Sequence, residues 1–248
     1  LRGAGDRDNS ESGDPADVTL DAGGAGSAVE VVAGSAALRG LTLTGGDAEF
    51  GGGANGLGGW LGLVDCVVRG NHAQRGGGVA FDEPMGELIN SVVTDNDATL
   101  AGGGVFIGVW LSAIGNEVAR NTAERGGGVY LDNDGFVNFQ DGWVHDNSAD
   151  FGGGVFASPR SVLGVRGEDG AISRVENNHA NIDGGGAYAY RADFGTDEVV
   201  NNTAGERGGG IYAAGPFSGG FMNVRDNSAR RGGGIAGTGE LDLTAVSI

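Results

Sequence analysis

The sequence predicts an all-β protein, a parallel β-helix (β-solenoid) of about nine coils of ~25 residues. Three observations predict it. Triple glycines begin at Gly51, Gly76, Gly102, Gly126, Gly152, Gly184, Gly208 and Gly232, at intervals of 24 to 26 residues with one of 32. Between them the apolar residues form short β-branched, alternating runs such as Val105-Phe106-Ile107 and Val129-Tyr130-Leu131, and no stretch keeps a helical period. Glycine supplies 54 of 248 residues and proline only 4, without the triplet period of collagen or the proline of a disordered linker. A unit this short cannot bury an apolar face alone, but it can coil once and stack on its neighbour.

The elements follow in chain order. Residues 1–17 are polar and patternless and read as an N-terminal extension, a candidate interchain strap; Val18-Thr19-Leu20 opens the single β-helix domain, 18–248. Each later repeat carries an asparagine: Asn71, Asn96, Asn121, Asn147, Asn178, Asn202 and Asn227. Three residues earlier stands a valine (Val68, Val93, Val118, Val144, Val175, Val199, Val224), and two residues later an alanine. The first copy uses Leu43, Gly46 and Ala48. The unit reads V-x-x-N-x-A, a short polar gap, then G-G-G-[VIA].

Stacked about 4.8 Å apart, these positions become columns. Valines and alanines are expected inside, each large aliphatic contributing roughly 1.5–3 kcal/mol on burial. The asparagines are expected to form a structural ladder of amide hydrogen bonds and to tolerate left-handed backbone at the bend. Each glycine costs roughly 0.5–1 kcal/mol in backbone entropy, so three in a row must answer to positive φ or to crowding. The long interval, with its surplus from Ser158-Pro159-Arg160 to Glu168-Asp169-Gly170, predicts a loop near 156–172. At the other end, Leu241-Asp242-Leu243-Thr244-Ala245-Val246-Ser247-Ile248 reads as strand without a polar cap, which predicts an open edge and end-to-end association into a homo-oligomer.

Composition excludes several chemistries. The formal charge is −18 and there is no lysine, so no Walker-type phosphate loop, Schiff base or lysine general base exists here, and nucleic acid is not an expected partner. One cysteine, Cys66, allows neither an internal disulfide nor a multi-cysteine metal site. No run of about 18 apolar residues suggests a membrane span, and no apolar segment near the start suggests a signal peptide.

The pairing of Val118-Ala119-Arg120-Asn121 with Gly126-Gly127-Gly128-Val129, and of Val224-Arg225-Asp226-Asn227 with Gly232-Gly233-Gly234-Ile235, resembles the repeats of polymorphic outer membrane proteins and, more widely, the right-handed parallel β-helix proteins of the pectin-lyase-like class. The match covers about residues 18 to 248, with valine where phenylalanine is usual and no C-terminal membrane barrel. The resemblance implies a secreted or surface-displayed structural or adhesive protein and transfers no catalytic residue.

Parallel β-helices also include polysaccharide lyases and hydrolases, whose chemistry needs clustered carboxylates, often with Ca²⁺, and a base. The aspartates here are expected at outward turns such as Asp95, Asp146 and Asp226. Arg160, Arg166, Glu168 and Asp169 form the compact basic and acidic group outside the repeat and are the loop candidates for a site. No cofactor is expected beyond loosely bound Ca²⁺ at acidic turns. His72, His145 and His179 are expected to be structural. The aromatics Trp60, Trp110, Phe136 and Phe217 are expected to point inward; outward, they would suit a glycan. The leading expectation is a non-enzymatic extracellular structural or adhesive protein that self-assembles into a filament. A carbohydrate-active enzyme and a glycan-binding surface module are the alternatives.

Overall fold

The computed structural model describes residues 18–82, 85–167, 172–195 and 197–247. The expected N-terminal strap and the candidates Glu168 and Asp169 lie outside the described residues. Three parallel sheets of nine strands each run the length of a β-solenoid of about nine turns. Consecutive strands of a sheet come from consecutive coils, about 25 residues apart, as in Val93 pairing with Val68 on one side and Val118 on the other. Among the described residues there is no helix, and so none long and apolar enough to cross a membrane.

One coil illustrates most of them. A first-wall strand, Val92–Thr94, leads to a bend at Asn96 and a corner strand, Asp97–Ala101. The glycines 102–104 turn the chain into the second wall, Val105–Ile107, and a short loop leads to the third, Trp110–Ile114. A second bend at Gly115-Asn116 then opens the next coil at Glu117–Ala119. Alternation sets what faces in: Val68, Val93, Val118 and Val199 of the first wall are fully buried, as are Val79, Val105 and Val129 of the second and Leu63, Leu88 and Leu111 of the third. Ala73, Ala98 and Ala180 line the corner and are buried.

The three glycines do different work. The first of each triplet is left-handed, from Gly51 at φ 57° to Gly184 at φ 70°. The second and third are crowded: a Cβ on Gly77 would lie 2.4 Å from the carbonyl oxygen of Asp97, and one on Gly78 would lie 2.8 Å from Cγ1 of Val93. At the asparagine bend the left-handed residue is not the ladder asparagine but the one before it, Asp95 (φ 56°), Arg120 (φ 53°), Asp146 (φ 54°) or Asn201 (φ 55°). This corrects the expectation from the sequence. The asparagine keeps ordinary backbone geometry so that its amide turns inward.

Candidate binding face

The left-handed first glycine folds each corner so that the residue before a triplet and the residue two after it share one outer strip. The second-wall column on that strip is aromatic. Phe106 stacks on Tyr130 (centroids 5.6 Å apart, rings 9° from parallel), Tyr130 on Phe156 (5.3 Å, 6°), Phe156 on Tyr188 (4.8 Å, 16°), and Tyr188 meets Tyr212 at 5.0 Å and 52°. Successive rings cover one another's faces: Phe106, Phe156 and Tyr212 are buried, and Tyr130 and Tyr188 are half-buried. From the facing column Phe50 packs edge-on against Phe106 and Phe151 edge-on against Tyr188, each 6.0 Å away.

Beside this ladder the short turn before the strand Val162–Arg166, which divides the stretch near 156–172 expected as one loop, raises one wall of a cleft of about 430 Å³, lined by Arg125, Tyr130, Asn133, Phe151, Phe156, Ser158, Pro159, Tyr188 and Tyr190. Its volume suits a small ligand. Ser158 donates to the Tyr130 hydroxyl at 3.0 Å, and Tyr190 hydrogen-bonds Tyr188. Burial first, and that bond second, push the Tyr188 phenol above its ordinary range. At the end of the ladder Arg207 holds the fully buried Asp183 through a two-pronged ion pair, Nε to Oδ1 at 3.0 Å and Nη2 to Oδ2 at 2.6 Å. The same guanidinium lies 4.2 Å over the Tyr212 ring and donates to its hydroxyl at 2.5 Å. Asp183 raises the Arg207 pKa further.

The aromatics read from the sequence lie on the third wall, and three of the four point outward. Trp110 and Phe136 are in register, stacked at 6.5 Å, and 40% and 38% exposed. Trp60 is half-buried over Gly62 on the same face. Phe217 alone is inside, at 3%. The reason is register: Phe217 aligns through Ala192 and Leu163 with Val137, the neighbour of Phe136, and one residue along a strand reverses the face.

The loop candidates do not converge. Arg160 reaches Asp134 at 3.5 Å, both well exposed, while Arg166 pairs with Asp193 on the next coil. The seven asparagines form one axial ladder, all buried except the half-buried Asn227. Two of the histidines make single coil-to-coil contacts: His72 with Asp97 at 2.9 Å and His179 with Thr203 at 2.8 Å. The third, His145, is buried between Asp146 (2.6 Å) and Glu117 (3.2 Å) with Trp143 stacked on it at 3.8 Å. Glu124 meets the neighbouring Arg125 at 3.5 Å, whereas Glu206 bonds Arg230 on the next coil, since Arg207 is taken by Asp183. Among the described residues no three His, Cys, Asp or Glu side chains form a metal-binding group.

Sequence reasoning missed two sites. One is the aromatic ladder, whose signal was a tyrosine or phenylalanine two residues after five consecutive triplets. The other is Asp197, in the column of Ser91 and Asn116 at the second bend. Its carboxyl is buried and neither oxygen has a hydrogen bond of good geometry, although the backbone of Gly195, Gly167 and Ser173 and the charge of Arg166 lie near. Burial outweighs these and raises its pKa to about 7. Burial likewise pushes the Cys66 thiol up.

Compared with protein-family models, curated proteins and solved structures, the chain matches none of them.

Proposed function

We propose that the protein is a non-enzymatic extracellular structural or adhesive solenoid that associates end to end. The observation that carries this reading is the use of polar chemistry along the axis: Arg120 is bound to Asp95, Arg174 to Glu198, Arg207 to Asp183 and Trp143 to Glu176, each pair joining neighbouring coils. Individually the exposed pairs contribute little, yet together they commit these charged groups to the stacking of one coil on the next. The motif resemblance to polymorphic outer membrane protein repeats supports surface display. In the ninth coil Leu241 and Leu243 are 40% and 37% exposed, and whatever covers them, further chain or a second copy, would extend the same parallel ladder. Electron microscopy and light scattering over a concentration series test the assembly; the reading expects linear oligomers, and a monomer at high concentration overturns that part. Incubation with a panel of acidic polysaccharides, with and without Ca²⁺, tests the non-enzymatic part, because unsaturated products or new reducing ends would make the protein a carbohydrate-active enzyme.

A second reading, a glycan-binding module, is favoured by one observation, the exposed Trp110 and Phe136. Binding on a glycan array that is lost on Trp110→Ala would support it.

A further inference from the structure

All four tyrosines of the chain, Tyr130, Tyr188, Tyr190 and Tyr212, lie on the outer strip beside the glycine corner. Tyr188 is their centre. Its ring is 5.0 Å from that of Tyr212, its register partner on the next coil, and 5.7 Å from that of Tyr190. Tyr130 shares the ladder, but Phe156 stands between it and Tyr188. Tyr188 opens onto the cleft, whereas Tyr212 is 4% exposed and its ring is fixed by the Arg207 guanidinium.

We propose that Tyr188 and Tyr212 form an oxidative cross-linking site, at which a heme peroxidase with hydrogen peroxide makes a dityrosine that staples two adjacent coils. Coupling two phenoxyl radicals ordinarily requires an encounter between them. Here the parallel register holds the rings in contact before either is oxidised, so the step is effectively unimolecular. The two rings meet at 52° and are not face-parallel.

The step balances. Each phenol gives one electron to the peroxidase and its hydroxyl proton to water; the two radicals join through the carbons ortho to oxygen. The hydrogens on those carbons then move to the oxygens, restoring both phenols. The two electrons and two protons reduce one peroxide to two waters. In a chain with one cysteine, such a bond would supply the covalent tie between coils that a disulfide cannot.

The test treats the folded full chain with a heme peroxidase and limiting peroxide, then reads dityrosine fluorescence, intact mass and a peptide map. The expected product is a monomer lighter by two hydrogens, in which the segment holding Tyr188 is joined to the segment holding Tyr212 and Tyr130 is unchanged. Tyr212→Phe should abolish this product and Tyr190→Phe should leave it; phenylalanine already occupies the same column at Phe106 and Phe156, so the first change fits the ladder. In denaturant, where the register is gone, links involving Tyr130 should appear. Coupling of Tyr188 to Tyr190, links only between chains, oxygen addition without loss of hydrogen, or Tyr130 links at equal yield in the folded protein would each overturn the proposal.

Discussion

The Oδ1 atom of Asn121 accepts two hydrogen bonds from Asn96, one from its backbone N–H and one from its Nδ2, both at 3.0 Å. Nδ2 of Asn121 in turn donates to the Val93 carbonyl at 2.9 Å and to Oδ1 of Asn147 at 3.0 Å. The side chain is fully buried, so water replaces none of these bonds. Asn121→Asp keeps the shape but sets a carboxylate oxygen against two acceptors. We expect a loss of about 3 kcal/mol or more at neutral pH by denaturant unfolding, partly regained in acid as the introduced carboxyl protonates. A loss below about 1 kcal/mol would mean that the ladder contributes no more than an ordinary hydrogen bond.

Glycine substitutions should divide by position. A Cβ on Gly127 would lie 2.4 Å from the Ser148 carbonyl oxygen and 2.6 Å from that of Gly153, both backbone atoms of the next coil. On Gly220 it would meet nothing within 4 Å, and φ there is not positive. Gly127→Ala should therefore lower the denaturant midpoint sharply. Gly220→Ala should raise stability by about 0.4–1 kcal/mol, because alanine restricts the unfolded chain. Equal effects at the two sites would contradict the crowding argument.

The solenoid was legible in the sequence because its determinants recur. A valine three residues before each asparagine and an aliphatic residue or alanine after each triplet fix the inward columns wherever they occur. What was not legible depends on which coil lies above which. Trp110 and Phe217 stand at nearly the same distance from their triplets, yet a loop longer or shorter by one residue sends one outward and the other into the core. Asp183 occupies an ordinary place before a glycine triplet; only the stacking of Arg207 above it makes a buried ion pair.

Asp197 should make stability depend on pH in a sense opposite to most carboxylates. Burial raises its folded pKa to about 7 from a value of 3.8. Between these two the native state binds more protons than the unfolded chain. The contribution is therefore complete below about pH 4, declines as pH rises to about 7, and is constant above. The slope is at most about 1.4 kcal/mol per pH unit. Asp197→Asn places here the amide that Asn116 already carries in this column, and removes the dependence. The variant should be more stable than its parent by a few kcal/mol at about pH 8, and the two should converge near pH 4 in urea titrations. A parent as stable as the variant at the higher pH would refute the raised pKa.

The pair formed by Arg207 and Asp183 should show strong coupling. Asp183 is 1% exposed in its side chain, Arg207 38%, so removing the cation takes from a buried carboxylate the ion-pair partner that meets both its oxygens. Arg207→Ala should cost about 3–5 kcal/mol, the usual consequence of stranding a buried charge. It also frees the Tyr212 ring, which the guanidinium covers at 4.2 Å. Arg207→Lys keeps the charge but not the fork that meets both carboxylate oxygens, and should fall between. Asp183→Ala leaves an arginine that can turn to solvent, so it should cost less than Arg207→Ala. Combining the two alanine changes should cost less than their sum, because the second removes the charge that the first left unpaired. A double-mutant cycle by denaturant unfolding measures the difference directly. Strict additivity would show that Arg207 acts through its stacking on Tyr212 and not through Asp183, since the ring contact is lost equally whether or not the carboxylate is present.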